Sequence, residues 1–488
     1  MKRYGLHMIF SGPTFLFAFL PLTLLGFYLI RRRAGHNASI GWLTLASLVF
    51  YSWWNINFLP LLLISIGVNY ALSHKLNAPN GRAWLTLGII FNLGLLGVFK
   101  YTDFFIRTGN ALFGSEAIET GIALPLAISF FTFQQIAFLV DRFRRKTEPA
   151  RAGYYPLFVA FFPQLIAGPI VHHKNMASQL RDTTRQKDIS FNLGVGISIF
   201  AVGLAKKLLL ADNFAPFASQ GFNMAANGDP ISFWSAWAAT LCYAFQIFFD
   251  FSGYSDMALG LGRMFGFQLP VNFNAPYRAR SVTDFWRRWH ITLSHFLRDY
   301  LYIPLGGNRR GPRRTLINLA LVMLLGGLWH GAAWTFVVWG GLHGLGLIWC
   351  RLLKQKFPEG LFKRVPQLSV LTTFLFVSIC WVFFRAESFD AASIMLTSMS
   401  GMNGLGIFPD DDPFIAIALG LFIVWVLPDT VSIFEKYIEP ETMKMADIKL
   451  QKGLRWRPSP SFAIITAILL FLSITNIWSV SEFIYYNF

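Results

Sequence analysis

The sequence predicts an all-α polytopic membrane protein, and three observations predict it. Of its 488 residues, 54% are hydrophobic and only 14% are charged, which is too apolar for an ordinary soluble fold. The apolar residues fall in runs of about 17 to 22, the length of a bilayer-crossing helix, rather than in the short alternating segments of a membrane β-barrel. The basic excess, +17 overall, is gathered between those runs. Spread over a soluble domain it would point to nucleic acid, but clustered in this way it reads as cytoplasmic loops obeying the positive-inside rule. The expected partner is therefore the lipid membrane and not nucleic acid.

The runs lie near 8–30, 40–72, 84–99, 121–140, 154–171, 191–210, 231–262, 315–350, 368–384, 413–428 and 461–479. The first, Met8 to Ile30, is too long for a signal-peptide core, and its basic cluster Arg31-Arg32-Arg33 follows it; it reads as a retained helix with its N-terminus outside. Pro60 divides the second run into two spans. At about 20 residues per span the chain holds roughly 11 to 13 transmembrane helices, with re-entrant or interfacial helices besides. No repeat, low-complexity tract or linker interrupts residues 1–488, so a single domain is expected. Cys242, Cys350 and Cys380 sit in or beside apolar runs without metal or disulfide spacing, and no metal site is expected.

Loop charge orients the C-terminal half. Arg351, Lys354, Lys356, Lys363 and Arg364 mark a cytoplasmic loop; Glu387, Asp390, Asp410, Asp411 and Asp412 fill an external one; Lys444, Lys449, Lys452, Arg455 and Arg457 return to the cytoplasm. The C-terminal tail then lies outside.

The segment 263–314 carries ten arginines, no lysine, and only Asp284 and Asp299 as acids, so it belongs on the inner face. Within it, Asp284 to Tyr302 forms an amphipathic wheel at about 100° per residue. Phe285, Trp286, Trp289, Thr292, Leu293, Phe296 and Tyr300 share one side. Arg287, His290, Ser294 and Arg298 share the other. Such a helix either lies on the membrane holding anionic lipid, or its polar face with His290 lines a cytoplasmic entrance.

From Thr315 to Cys350 the chain is too long for one span, and both ends carry inside-type arginines, so 315–350 is a hairpin turning near His330 to Trp334. No Asp, Glu, Lys or Arg occurs from Leu316 to Trp349. His330 stands in that run between glycines, about 24 Å from Arg314 on a straight helix. An imidazole there is either a proton-transfer group or a neutral ring donating one hydrogen bond. Gly326, Gly327, Gly331, Gly340, Gly341 and Gly344 supply small positions for close helix packing.

A third stretch, QIFFDFSGYSDMALGLG from Gln246, places Asp250, Ser252, Tyr254, Ser255 and Asp256 in an apolar run. On a continuous helix the two acids point about 120° apart, a poor acid/base dyad. A break at Gly253, with the acids pairing to arginines or capping a half-helix, is expected instead.

Three motifs together, QIFFDFSGYSDMALGLG, NFNAPYRARSVTDFWRRWHITLSHFLRDYLYIPLGGNR from Asn272 and LLGGLWHGAAWTFVVWGGLHG from Leu324, resemble the membrane-bound O-acyltransferase family in its bacterial alginate O-acetyltransferase branch. Weaker similarity runs through FPQLIAGPI at Phe162, YSWW at Tyr51 and CWVFFRAES at Cys380. The pair His172-His173 has no counterpart in it.

The resemblance implies a ring of helices with a thin centre, open as a central funnel from both sides, and acyl transfer from a thioester to a hydroxyl. It makes His330, in the WHG motif, the catalytic residue, and His290, in RRWH, a second active-site residue. Arg287, Arg298, Ser294, Trp329, Asp250, Tyr254 and Asp256 are expected to bind the donor or support the site. Acetyl-CoA is the expected donor, with an acyl carrier as the variant found in a D-alanine-transferring branch, and no cofactor is bound permanently. The expected setting is the bacterial inner membrane, with an extracellular polysaccharide as final acceptor and an external esterase-like acetyltransferase as partner.

Overall fold

The computed structural model describes residues 8–166, 168–183, 188–357, 365–406, 412–438, 453–479 and 484. Lys363, Arg364, Asp410, Asp411, Lys444, Lys449 and Lys452 of the orienting loops, and nearly all of the C-terminal tail, lie outside the described residues. Those residues are overwhelmingly helical, with no strand among them. Six helical stretches are long and apolar enough to cross a membrane: Phe15–Ala34, Ile56–Lys75, Gly81–Phe113, Ile189–Ala226, Trp334–Lys356 and Pro366–Arg385; Asp412–Trp425 and Pro460–Thr475 are shorter apolar helices. The chain is a multi-pass membrane protein.

The apolar runs do not all become spans. The run 154–171 folds as two short helices, Tyr155–Ala160 and Phe162–Leu165, separated at Phe161. Pro163 and Pro169 withhold the amide hydrogens that a continuous helix needs. The run 121–140 is helical only from Ile128. Hydropathy counts apolar length without seeing these backbone interruptions.

The chain divides into two compact units, Met1–Phe200 with Met257–Pro270, and Ala201–Asp256 with Val271–Phe488. In the first, helices Leu20–Ala34 and His36–Trp54 meet at Gly35, whose φ of 87° suits glycine. Gly26 makes room for the Trp42 ring, and the Trp42 N–H donates to the Thr23 carbonyl at 3.0 Å. Helices Leu59–Lys75 and Gly81–Leu96 are tied by a reciprocal amide pair, Asn69 with Asn92. Between apolar helices such a pair satisfies groups that would otherwise be costly to bury. His172 lies 3.4 Å from Asp141, and buried His173 pairs with the Thr147 hydroxyl at 2.8 Å.

The second unit holds most of the 32-residue helix Phe233–Met264, which is continuous through Gly253. The expected break at Gly253 does not occur. A Cβ there would stand 2.7 Å from the Gly203 carbonyl oxygen and 3.1 Å from Lys206 Cβ; the glycine serves close helix approach. The 315–350 hairpin forms as expected, from helices Pro312–His330 and Trp334–Lys356. Its two backbones touch at Gly327 and Gly340, where a Cβ on either would lie 3.1 Å from the other's Cα. Gly331, at the turn, is covered by the Phe336 ring.

Candidate active site

The amphipathic wheel over Asp284–Tyr302 does not survive as one helix. The segment is helical at Val282–Trp286 and Ile291–Phe296, then continues as a wide π-turn over Leu297–Tyr302. Between the two helices His290 adopts φ 43°, a left-handed backbone unusual for a residue with a side chain. Its conformation is held from a neighbouring strand of chain. The Ile291 N–H donates to the Asn272 carbonyl at 3.0 Å and the Asn274 N–H to the Arg288 carbonyl at 2.9 Å.

That break separates the polar arc. Arg287 and Arg298 are exposed, Ser294 is half-buried and His290 is fully buried. His290 is therefore not on a solvated helix face with the arginines but turned into the protein. Phe251 packs on its ring at 4.8 Å. Burial holds its imidazole far below the ordinary range, at about 3, so it is neutral. Arg298 pairs with Asp299 at 2.7 Å, and Arg288, rather than Arg287, pairs with Asp284 at 2.9 Å.

His330 ends the first helix of the hairpin and is buried. Its ring centre lies 6.4 Å from that of His290, 5.0 Å from Trp329, 4.9 Å from Trp339 and 5.4 Å from Phe384. The two histidines that the sequence singled out, forty residues apart, thus come together inside one aromatic wall. Trp329 belongs to that wall, 6.2 Å from His290.

The acids of the long helix stand elsewhere in the unit. They pair with lysines, not arginines. Lys206 Nζ is 2.6 Å from Asp256, and Lys207 Nζ is 2.9 Å from both Asp250 and Asp212. Both lysines come from a π-turn, Lys206–Ala211. Thr430 donates to Asp256 at 2.7 Å, and the Ile484 N–H to Asp250 at 2.9 Å. Asp256 is paired with Lys206, while Asp250 shares Lys207 with Asp212, the arrangement of buried structural charges. Tyr254 is buried on the same helix.

Two residues escaped the sequence reading although both stand inside its quoted motifs. His343, one turn past Gly340, is fully buried; the Trp286 N–H donates to its Nδ1 at 3.2 Å, and Trp339 stands between it and His330, 4.9 Å from each ring. The signal was a second histidine in the charge-free run. Asn272 is buried, and its side-chain oxygen receives hydrogen bonds from Thr292 N–H at 3.2 Å and Thr292 Oγ1 at 2.9 Å, with His290 Nδ1 at 3.2 Å.

The fold is that of an all-helical membrane protein with two buried imidazoles brought side by side, and comparison with known proteins gives it a family. The model of the membrane-bound O-acyltransferase family matches residues 152–386, which include Asn272, His290, His330 and His343. The chain is 45% identical over 430 residues to the peptidoglycan O-acetyltransferase of Helicobacter pylori, covering 82% of this chain and 81% of that protein. It is 43% identical over 402 residues to the probable alginate O-acetylase AlgI of Azotobacter vinelandii, covering 80% and 78%. It is 28% identical over 291 residues to the teichoic acid D-alanyltransferase of Streptococcus thermophilus, covering 53% and 68%. The chain belongs to the membrane-bound O-acyltransferase family and is an acyltransferase.

Proposed function

We propose that this enzyme takes acetyl from a cytoplasmic thioester, acetyl-CoA, and passes it through the bacterial inner membrane for O-acetylation of an extracellular polysaccharide. The observation that carries the reading is the approach of His330 and His290 inside a buried aromatic wall. The higher identity to relatives named for acetyl transfer than to those named for D-alanyl transfer favours acetyl. An external esterase-like partner would complete the delivery to sugar.

A hydroxyl is a poor nucleophile near neutral pH, and a positioned imidazole base is worth about 10² to 10⁴ in rate. His330 removes the hydroxyl proton as the oxygen attacks the thioester carbonyl carbon. The tetrahedral intermediate collapses, the C–S bond breaks, and the thiolate recovers the proton from His330. The exposed arginines Arg287 and Arg298 suit the phosphates of a nucleotide-bearing donor, and Trp329 packs beside the reacting centre. Asp250, Asp256 and Tyr254 support the helix that carries Phe251 against His290. Deleting the chain and measuring O-acetyl groups on the cell's exported polymers tests the reading: acetylation should disappear, and unchanged acetylation would end it.

A further inference from the structure

His290 has two ring nitrogens in unlike surroundings. Nδ1 lies 3.2 Å from Asn272 Oδ1. The identity of that atom as oxygen is fixed independently, because the same atom receives the Thr292 backbone N–H; turning the amide over would set N–H against N–H. The Asn272 amide nitrogen is directed instead to Ser255 Oγ at 3.5 Å. An oxygen with only lone pairs to offer requires a proton on Nδ1. In a neutral ring the other nitrogen must then be bare. Nε2 of His290 is buried and has no hydrogen-bond partner among the described residues.

We propose that Asn272 is a positioning residue of the active site, holding His290 in the Nδ1–H tautomer so that its Nε2 is a hydrogen-bond acceptor available to His330. This rests on the reading of His330 as base. The ring centres are 6.4 Å apart, a separation that one water or a small closure spans, and catalytic hydrogen bonds commonly tighten only when substrate binds. The order is then Asn272 carbonyl, His290, His330, hydroxyl. An N–H of His330 is received by His290, which leaves the opposite His330 nitrogen to face the hydroxyl. It is the logic by which a third group orients a catalytic base, built here from neutral groups. Burial keeps the His290 ring neutral, and with its one N–H directed to Asn272 its other nitrogen serves as an acceptor and not as the donor to an oxyanion.

The test uses the full chain in lipid nanodiscs, with ¹⁵N-histidine labelling and acetyl-CoA as donor probe. In wild type the His290 signals, assigned by loss in His290→Gln, should show a protonated Nδ1 and a bare Nε2; a protonated Nε2 overturns the proposal whatever the variants do. Asn272→Ala should lower kcat about 100-fold with KM changed less than threefold, and Asn272→Asp, which keeps an acceptor oxygen, should recover at least tenfold of that loss. Wild-type kcat in Asn272→Ala, or an equal loss in Asn272→Asp, overturns it. If Asn272→Ala does not fold, the wild-type tautomer and Asn272→Asp still decide. An active His330→Gln would overturn the base assignment while leaving the tautomer measurement standing, so the two failures are distinguishable.

Discussion

Replacing Gly340 by alanine should damage catalysis through geometry alone. The added methyl would run into the Met323 carbonyl oxygen and stand 3.1 Å from both Cα and N of Gly327. Non-bonded carbons settle at about 3.5–4.0 Å, so the two helices of the hairpin must part by roughly 0.5–1 Å. Because the obstacle is backbone on the facing helix, no rotamer change relieves it, and overpacking of this kind costs about 1–3 kcal/mol. His330 lies one turn beyond Gly327 on the displaced helix, and a misplacement of about 1 Å at a reacting group costs on the order of 100-fold in rate. Gly341→Ala is the control. It gains the same helix propensity, but its Cβ meets only Leu324 Cδ2 at 3.4 Å, an ordinary contact. Transfer of labelled acetyl by both variants in nanodiscs, with thermal unfolding followed by tryptophan fluorescence, gives the comparison. Wild-type rate and stability in Gly340→Ala, or equal damage in Gly341→Ala, would refute the reasoning.

Further outcomes follow from the buried charges and the second imidazole. Lys207→Met strands Asp250 and Asp212 without their cation and should destabilise by about 3–5 kcal/mol; adding Asp250→Asn should restore part of it, and a single variant that unfolds like wild type contradicts the pairing. Gly253→Ala sets a methyl 2.7 Å from the Gly203 carbonyl oxygen and should cost about 1–3 kcal/mol, read as a lower unfolding temperature. Trp286→Phe removes the donor to His343 Nδ1 at about 1 kcal/mol, with a small drop in stability; an unchanged unfolding temperature would show the bond to be idle.

The hairpin carrying His330 is legible because its signals are local. The charge-free run from Leu316 to Trp349, the inside-type arginines at both of its ends and the glycines indicate its length, its turn and its contact face. The setting of His290 is not, since a helical wheel assumes one unbroken helix, whereas here His290 makes a left-handed turn beside which the Ile291 N–H bonds the Asn272 carbonyl from far upstream. The acids of the long helix illustrate the same limit. From sequence, Asp250 and Asp256 are expected to pair with arginines or to cap a half-helix, and neither describes their lysine partners. Their partners Lys206 and Lys207 come from a π-turn on a preceding helix, a tertiary choice that spacing does not encode. The resemblance brought His290 and His330 together before any geometry did. His343 and Asn272 lay inside the same motifs, and buried polar residues in apolar surroundings deserve the same question wherever they stand.

The most direct measurement of the central claim compares wild type with His330→Gln, both reconstituted in membranes with labelled acetyl-CoA on the side of the basic loops and an acceptor on the other. The account predicts that wild type releases coenzyme A and labels the acceptor, whereas His330→Gln, folded and of normal stability, does neither above background. Equal release of coenzyme A by the two proteins, or equal labelling, would contradict it.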